Sequence, residues 1–231
     1  MRLIFLALAA FVFSASTAQT VDEIVKKHTE AMGGAERISS LKTVRMSGNM
    51  NVQGTDIGVT ITRSHMVGVR VDIDVEGTAN YQVANATEGW VYMPAMGMPE
   101  PTKMQEAEWK ALSSQMDVQG LLFNWKEKGS TVVLDGSEEV DGSTAHKLKI
   151  TQKSGVIVTT YIDAKTGRIM KTAGKANIQG QEMDIITSFS DYRQNADGYW
   201  FPYTITNMQG TVNFEKIETN IAVDEKIFTK D

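Results

Sequence analysis

Residues 44–75 read VRMSGNMNVQGTDIGVTITRSHMVGVRVDIDV, and this stretch decides the fold. Apolar and polar side chains alternate along it in three successive runs. The apolar members are Val44, Met46, Met50 and Val52, then Ile57, Val59 and Ile61, then Val69, Val71, Ile73 and Val75. A period of two is typical of half-buried strands. Gly48, Gly54, Gly58 and Gly68 lie in or beside the runs, where bare backbone permits the bulges of a curved sheet. We therefore predict consecutive strands of a strongly curved antiparallel sheet.

The alternation returns in the second half of the chain, and turn signals separate the runs. These signals are Asp135-Gly136, Asp141-Gly142, Lys165-Thr166-Gly167 and Asp197-Gly198. Short strands joined by such turns indicate an antiparallel meander rather than βαβ units. We predict a mainly β fold whose sheet forms an incomplete, half-open barrel, and we interpret Tyr199, Phe201 and Tyr203 as sheet packing.

Two helical regions are predicted beside the sheet. Thr20 and Glu23 form a capping box for an N-terminal helix that ends at Gly33-Gly34, followed by a short turn holding Ile38 and Leu41. The second region follows a predicted stiff, apolar loop, MPAMGMPEP at residues 93–101, which holds three of the four prolines. There, Thr102 and Gln105 predict a cap for an amphipathic helix of about 15 residues. We expect this helix to cover the concave face as a lid, with Gly97 and Gly120 as hinges.

The first 18 residues predict a cleaved signal peptide. Met1-Arg2 provides a positive start, residues 3–13 are apolar, and Ser16-Thr17-Ala18 is a small-x-small cleavage site. The apolar run is shorter than the roughly 20 residues that span a bilayer, so no anchor is expected after cleavage. Because the chain has no cysteine, a lipidated export signal is excluded. We expect a periplasmic protein that begins near Gln19.

Composition excludes several classes of function. Cleavage after Ala18 leaves 213 residues with 22 basic and 28 acidic side chains, since only Arg2 is lost, and a formal charge of −6. That balance argues against nucleic acid and anionic membrane surfaces as partners. Without cysteine there is no disulfide, thiolate ligand or thiol nucleophile. Residues 19–231 show no linker, so we predict one domain.

Several segments together resemble the superfamily of LolA, the periplasmic lipoprotein carrier. They are residues 21–41 with Gly33-Gly34-Ala35, YIDAKTGRI at 161–169, DGYWFP at 197–202 and VDEKIF at 223–228. The resemblance, which extends to LolB-like and RseB-like relatives, implies an incomplete β-barrel with helices lying across its concave face. It also implies a carrier that binds acyl chains of lipoproteins or lipids and passes them from an inner-membrane exporter to an outer-membrane receptor. The superfamily includes envelope sensors too, so a protein-partner-binding module is the alternative function.

The predicted ligand-binding residues lie in the lid and on the neighbouring strands. They are Met46, Trp90, Tyr92, Met93, Met96, Met98, Met104, Trp109, Leu112 and Met116. Unbranched, polarisable methionines suit a lid over ligands of varying shape, but they also fill gaps in a core. Met96-x-Met98 additionally suits thioether ligation of Cu(I). The tryptophans and tyrosines either line the cavity or pack within strands.

Catalytic and metal-binding motifs are missing from the sequence. His28, His65 and His146 occur singly, with no spacing typical of metal ligands, and there is no Gly-x-Ser-x-Gly elbow or phosphate loop. We therefore predict a protein that is not an enzyme and needs neither metal nor cofactor. Arg45, Arg63 and Arg70 are the three positions at which the superfamily's functional arginine could lie.

Overall fold

The computed structural model describes residues 19–52, 54–178 and 181–230. The helices are α1 (Val21–Ala31), α2 (Ala35–Ser40) and α3 (Glu106–Ser113), with 3-10 turns at Pro94–Met96, Ser114–Met116 and Glu225–Phe228. The strands are β1 (Thr43–Val52), β2 (Thr55–Ser64), β3 (Gly68–Val75), β4 (Thr78–Asn85), β5 (Gly89–Met93), β6 (Met98–Lys103), β7 (Thr131–Val140), β8 (Ser143–Thr151), β9 (Ile157–Asp163), β10 (Ile169–Ile178), β11 (Gln181–Gln194), β12 (Trp200–Asn207) and β13 (Gly210–Thr219). The predicted signal peptide lies outside the described residues.

The strands form one antiparallel sheet of 13 strands in the order β6-β5-β4-β3-β2-β1-β13-β12-β11-β10-β9-β8-β7. Each strand pairs with its sequence neighbour except at two places. The first and last strands, β1 and β13, pair in the middle of the sheet, whereas β6 and β7 lie at its two edges. The predicted fold class is confirmed: the sheet is curved, open and mainly built as a meander.

One face of the sheet, which we call the inner face, carries the helices. The crossover from β6 to β7, residues 104–130, runs across this face from one edge of the sheet to the other. At the β7 end, Ile24 and Val25 of α1 pack with Leu122 of the crossover on Leu148, Ile150 and Ile162. The opposite face, which we call the outer face, is covered near β3 and β4 by the C-terminal segment through Phe228. Burial on the inner face is thus the main source of hydrophobic stabilisation.

The capping box of α1 is confirmed. The Thr20 hydroxyl accepts a hydrogen bond from the Glu23 backbone N–H at 3.3 Å, and the Glu23 carboxylate accepts one from the Thr20 backbone N–H at 2.8 Å. Gly48 also behaves as predicted, because the pairing register of β1 with β13 shifts between Ser47 and Gly48. A Cβ at Gly48 would lie 2.1 Å from the Asn213 carbonyl oxygen, so only glycine fits this bulge.

Four local predictions were wrong. The helix after the proline-rich segment has eight residues rather than about 15, and its cap is Gln105 with Glu108 rather than Thr102 with Gln105. The loop predicted at residues 93–101 is a strand in its second half, because Met98–Lys103 form the edge strand β6. Pro99 and Pro101 are tolerated there because an edge strand has one side without ladder hydrogen bonds. Asp135-Gly136 is no turn either: it is a bulge within β7, where Gly136 has φ 88°.

Helix α1 is held to the sheet by polar contacts with the β9–β10 turn. Lys27 Nζ donates to the Ala164 carbonyl oxygen at 2.6 Å, and His28 Nδ1 donates to the Gly167 carbonyl oxygen at 2.9 Å. The close approach requires glycine, since a Cβ at Gly167 would lie 3.0 Å from the Lys27 carbonyl oxygen. The YIDAKTGRI segment is therefore the docking site of the N-terminal helix.

Acidification is expected to destabilise the protein through His28. Burial lowers the pKa of His28 below its usual 6.5. As the pH falls below 6.5, His28 of the unfolded chain therefore takes up a proton before His28 of the folded protein does. Stability is therefore highest above pH 6.5 and declines below it, by at most about 1.4 kcal/mol per pH unit for one proton. Urea unfolding at pH 7.5, 6.0 and 5.0 measures the decline. His28→Gln, which retains a donor, should make the decline shallower, although a part remains because burial also lowers the pKa of His65 and of His146. An unchanged slope would contradict the assignment.

Candidate functional site

The part of the inner face beneath α3 is filled by the protein's own side chains. Leu112 and Met116 are each 7% exposed and pack against Val69 and Ala84 of β3 and β4. Met104 and Trp109 are partly buried against the same cluster, and the Trp109 indole N–H donates to the Asn85 carbonyl oxygen at 3.0 Å. Four predicted site residues are thus brought together. Their ligand binding stays a prediction, because in this arrangement they fill the space themselves.

Met46 of β1 and three methionines of the lid segment lie outside the cluster beneath α3. Met46 is 2% exposed and belongs to a separate cluster with Val44 and Ile217. Met93 is 8% exposed at the end of β5 and pairs across the hairpin with Met98. Met96 is 73% exposed in the 3-10 turn between the two strands. Met93 therefore fills the core, as one interpretation of the methionines holds, while Met96 and Met98 remain accessible.

Trp90 and Tyr92 lie on the outer face, so their placement in an inner cavity was wrong. Trp90 pairs with Val83, and both pack with Phe228 of the C-terminal segment. The ring of Tyr92 lies 5.3 Å from that of Tyr81, its cross-strand partner. Side chains alternate between faces along a strand, which puts Val91 and Met93 on the inner face and these two rings on the other.

The inner face carries a further apolar surface that the sequence did not reveal. Directly paired residues of six neighbouring strands form one row across the sheet, which we call the apolar row: Phe189, Ile205, Val212, Met50, Ile57 and Val75. All six side chains are partly exposed. Direct cross-strand partners project from the same face, so the row is continuous. At about 4.8 Å per strand spacing it spans roughly 24 Å.

At β3 the apolar row lies away from the lid, whereas Ile205 and Val212 pack at the margin of the Met46 cluster, as does Val118 of the crossover. Val75 is six residues along β3 from Val69, the residue under α3, which corresponds to roughly 20 Å. The turns at this end of the sheet carry further apolar side chains, among them Met208 between β12 and β13, which is 59% exposed. The Met96 turn lies at the same end, because the Ala95 backbone N–H donates to Asn80 Oδ1 near the start of β4 at 3.1 Å. This end of the inner face is therefore open, apolar and rimmed by methionines.

The end of the lid is fastened to the β2–β3 hairpin. Asp117, which follows the 3-10 turn after α3, accepts from Lys128 Nζ at 2.6 Å and lies 3.5 Å from His65 Nδ1. Beside it, the Met66 backbone N–H donates to the Met116 carbonyl oxygen at 3.0 Å. Burial lowers the pKa of His65, so this imidazole stays neutral near pH 7. The contacts with the hairpin are therefore the Met66–Met116 backbone hydrogen bond and the approach of Asp117 to a neutral His65, whereas the Asp117–Lys128 ion pair lies within the crossover itself.

Residues 19–52, 54–178 and 181–230 contain no group of three or more His, Cys, Asp or Glu side chains arranged to hold a metal ion. Among the helices that the structure describes, none is both long and apolar enough to cross a membrane.

Solved structures with the same architecture identify the fold. A LolA superfamily protein from Nitrosomonas europaea superposes with a TM-score of 0.56 at 15% identity, covering 92% of this chain and 99% of that one. A domain from Vibrio parahaemolyticus named for outer membrane lipoprotein sorting gives 0.54 at 16% identity, covering 90% and 97%. The chain has the LolA-like fold. A DUF1329 family protein from Desulfovibrio piger gives 0.56 at 12% identity, covering 90% and 97%. Neither a protein-family profile nor a curated protein sequence matches the chain.

Within this LolA-like fold, only one of the three early-strand arginines faces inward. Arg63 pairs with Val44 and Val69 on the inner face, whereas Arg45 and Arg70 lie on the outer face. The Nε atom of Arg63 is buried without a hydrogen-bond partner, and its Nη2 atom contacts Met46 Sδ at 3.4 Å. Burial lowers the pKa of Arg63 to about 10. A guanidinium in such apolar surroundings is costly unless a partner satisfies it, which marks Arg63 as the functional candidate.

Proposed function

We propose that the protein is a periplasmic carrier that binds acyl chains of lipoproteins or lipids on its inner face and delivers them toward the outer membrane. The observation that carries the proposal is the apolar row of six partly exposed side chains. A soluble protein rarely leaves a continuous apolar surface of this kind exposed unless it binds something there. An acyl chain is a suitable ligand, because one chain fills half of a hydrocarbon core about 30 Å thick and thus fits within the length of the row.

The energetics suit a carrier. Burying a few hundred Å² of apolar surface at about 25 cal/mol per Å² stabilises a complex by several kcal/mol. That is enough to hold a ligand and still allow its release to a receptor. The LolA-like fold supports the same class of function, and the solved domain named for lipoprotein sorting supports the direction of transport. Residues 1–18 would direct export, and residues 19–231 would form the single, non-enzymatic carrier domain.

The lid would complete the site by moving. Opening of α3 on Gly120 would expose Met104, Trp109, Leu112 and Met116 and extend the row toward Arg63. Gly97, the other predicted hinge, lies in the turn between the paired strands β5 and β6 and would move α3 only if β6 left the sheet. An unsatisfied buried guanidinium favours any state in which it gains an acceptor, such as an ester carbonyl of the ligand or a carbonyl of the displaced lid. The lid would then respond to cargo, as loading by an exporter and unloading to a receptor require.

One observation favours the alternative, a sensor that binds a protein partner. The space beneath α3 is occupied by Leu112 and Met116 rather than open, so the closed form has no deep pocket there. A partner segment lying on the apolar row would need no such pocket. The open row suits either ligand, and the ligand itself distinguishes the two functions.

Native mass spectrometry of the mature protein purified from its own envelope tests the proposal. We expect a lipid or acylated peptide to copurify and to be released by organic extraction, while another exported protein purified alongside yields none. If the protein is empty and also ignores added fatty acyl ligands, the carrier function is wrong. Copurification of an unacylated polypeptide would support the sensor instead.

A further inference from the structure

The outer face has a groove of its own, on the opposite side of the sheet from the apolar row. It has a volume of about 760 Å³ and lies over β13, β1, β2 and β3, with Ile227 of the C-terminal segment at one margin. Arg45, Thr62 and Arg70 are successive cross-strand partners along it. Ser47, Thr60 and Lys216 continue the lining. Unlike the inner face, this groove is lined mostly by charged groups and hydroxyls.

Two of the three cations in the groove are already engaged. Arg70 Nε donates to Asp72 at 2.7 Å, its Nη1 donates to the Ile227 carbonyl oxygen at 3.2 Å, and its guanidinium lies 4.3 Å from the centre of the Tyr81 ring. Lys216 Nζ lies 2.8 Å from the Glu218 carboxylate. Asp72 and Glu218 are the two carboxylates of the groove lining, so three cations face two anions.

Arg45 is the remaining cation. It lies between Glu218 and Thr62, its direct cross-strand partners, and it is half-buried. Glu218 is taken by Lys216, and within the described part of the chain the Arg45 guanidinium has no hydrogen bond, ion pair or ring contact. A guanidinium presents five N–H donors in a planar fork that matches carboxylate and phosphate oxygens. The groove therefore offers one complete set of charged donors without an acceptor.

Hydroxyls beside Arg45 add donors with fixed positions. Thr60 Oγ1 donates to Ser47 Oγ on the neighbouring strand at 3.4 Å, a long contact that a rotating hydroxyl can exchange for a ligand oxygen, and Thr62 is 2% exposed. All three belong to the groove lining and project from rigid, paired strands. Three hydroxyls and a guanidinium can serve the three or four oxygens of a phosphate group, whereas a carboxylate has only two. The arrangement thus matches a tetrahedral oxyanion better than a planar one.

We propose that the outer groove binds a phosphate group, with Arg45 as the charged ligand-binding residue and Ser47, Thr60 and Thr62 as hydroxyl donors. The phosphate could belong to free inorganic phosphate or to a phospholipid headgroup, which share this chemistry. The sheet separates the groove from the apolar row, so one lipid cannot occupy both sites. The proposal is therefore independent of acyl-chain carriage.

Calorimetric titration of the mature protein at constant ionic strength tests the site, with inorganic phosphate and glycerophosphoethanolamine as probes. We expect saturable binding of at least one probe, weakened about ten-fold or more by Arg45→Gln because a charge-assisted contact is lost. Tighter binding of glycerophosphoethanolamine would identify a headgroup site, and tighter binding of inorganic phosphate a free-anion site. Thr60→Val, which removes one hydroxyl at nearly constant volume, should weaken the same probe by a smaller factor.

Lys149→Gln is the matched control, since it removes one positive charge from an exposed position on the outer face of β8. It should leave the affinity within about two-fold of wild type, because exposed charges beyond a Debye length are largely screened. Arg45 has no partner to lose, so the thermal midpoint of Arg45→Gln should match wild type. Absence of binding by both probes, equal affinity in Arg45→Gln, or equal weakening in Lys149→Gln would each overturn the site.

Discussion

Replacing Met50 with aspartate is expected to weaken binding of an acyl ligand by at least about 100-fold without unfolding the protein. Met50 occupies the middle of the apolar row, between Val212 and Ile57, and is partly exposed. A bound chain would cover the new carboxylate and leave it without a partner, at a cost of several kcal/mol. Because the side chain is solvated in the free protein, the fold itself should tolerate the change. Displacement of a fluorescent fatty acid measures the affinity.

Met66→Asp is the control for this experiment. Met66 is 60% exposed, but it lies on the β2–β3 turn at the lid end of the sheet, far from the row. It has a positive φ of 58°, which aspartate adopts readily. The same change in charge should therefore leave acyl binding within about two-fold of wild type. Equal affinity of Met50→Asp and wild type would show that the row is not the ligand site.

The second large effect concerns stability, through the C-terminal segment. Phe228→Ala should lower the free energy of unfolding by about 3–5 kcal/mol, the usual cost of removing a buried phenylalanine. Phe228 is 2% exposed and packs on Tyr81 and Val83 of the outer face. Its carbonyl oxygen also accepts from Asn85 Nδ2 at 3.1 Å, so the backbone of the segment is fixed beside the ring. Urea denaturation followed by tryptophan fluorescence measures the loss.

Gly68→Ala probes the same contact from the sheet side. A Cβ at Gly68 would lie 2.3 Å from the Phe228 ring, so even a methyl group must displace the segment, at a typical cost of 1–3 kcal/mol. Met208→Ala, at a position 59% exposed, should change stability by less than about 0.5 kcal/mol. A loss below about 1 kcal/mol for Phe228→Ala would mean that the segment is not part of the outer-face core.

The sequence predicted the strands well because alternation is a local property. Residues 44–75 formed the three strands that their period of two indicates, and Thr20 with Glu23 capped α1 as expected. The alternation alone does not show which face of a strand is covered by the helices and which by the C-terminal segment. Trp90 and Tyr92 alternate with Val91 and Met93, so β5 is apolar on both sides, and only the position of the C-terminal segment explains why.

The apolar row depended on information that no single segment contains. Its members come from six strands whose sequence positions run from Met50 to Val212, and each taken alone looks like an ordinary core residue. Only the pairing of β1 with β13 places Val212 beside Met50. The edge position of β6 explains a different wrong prediction. Its prolines indicated a loop, although a strand at the edge of a sheet tolerates proline.

For the proposed carrier, the separation of β6 from β7 has a consequence for the range of ligands. In a closed barrel, the strand number and the stagger fix the diameter, and a wider barrel requires breaking the hydrogen bonds between two strands. Here the two margins are joined covalently through residues 104–130 and, in the chain that the structure describes, by no strand pairing. A change in curvature alone can therefore spread them apart. The volume enclosed by the curved sheet can therefore change without breaking backbone hydrogen bonds. A carrier of this shape would adjust to ligands of different thickness at little energetic cost.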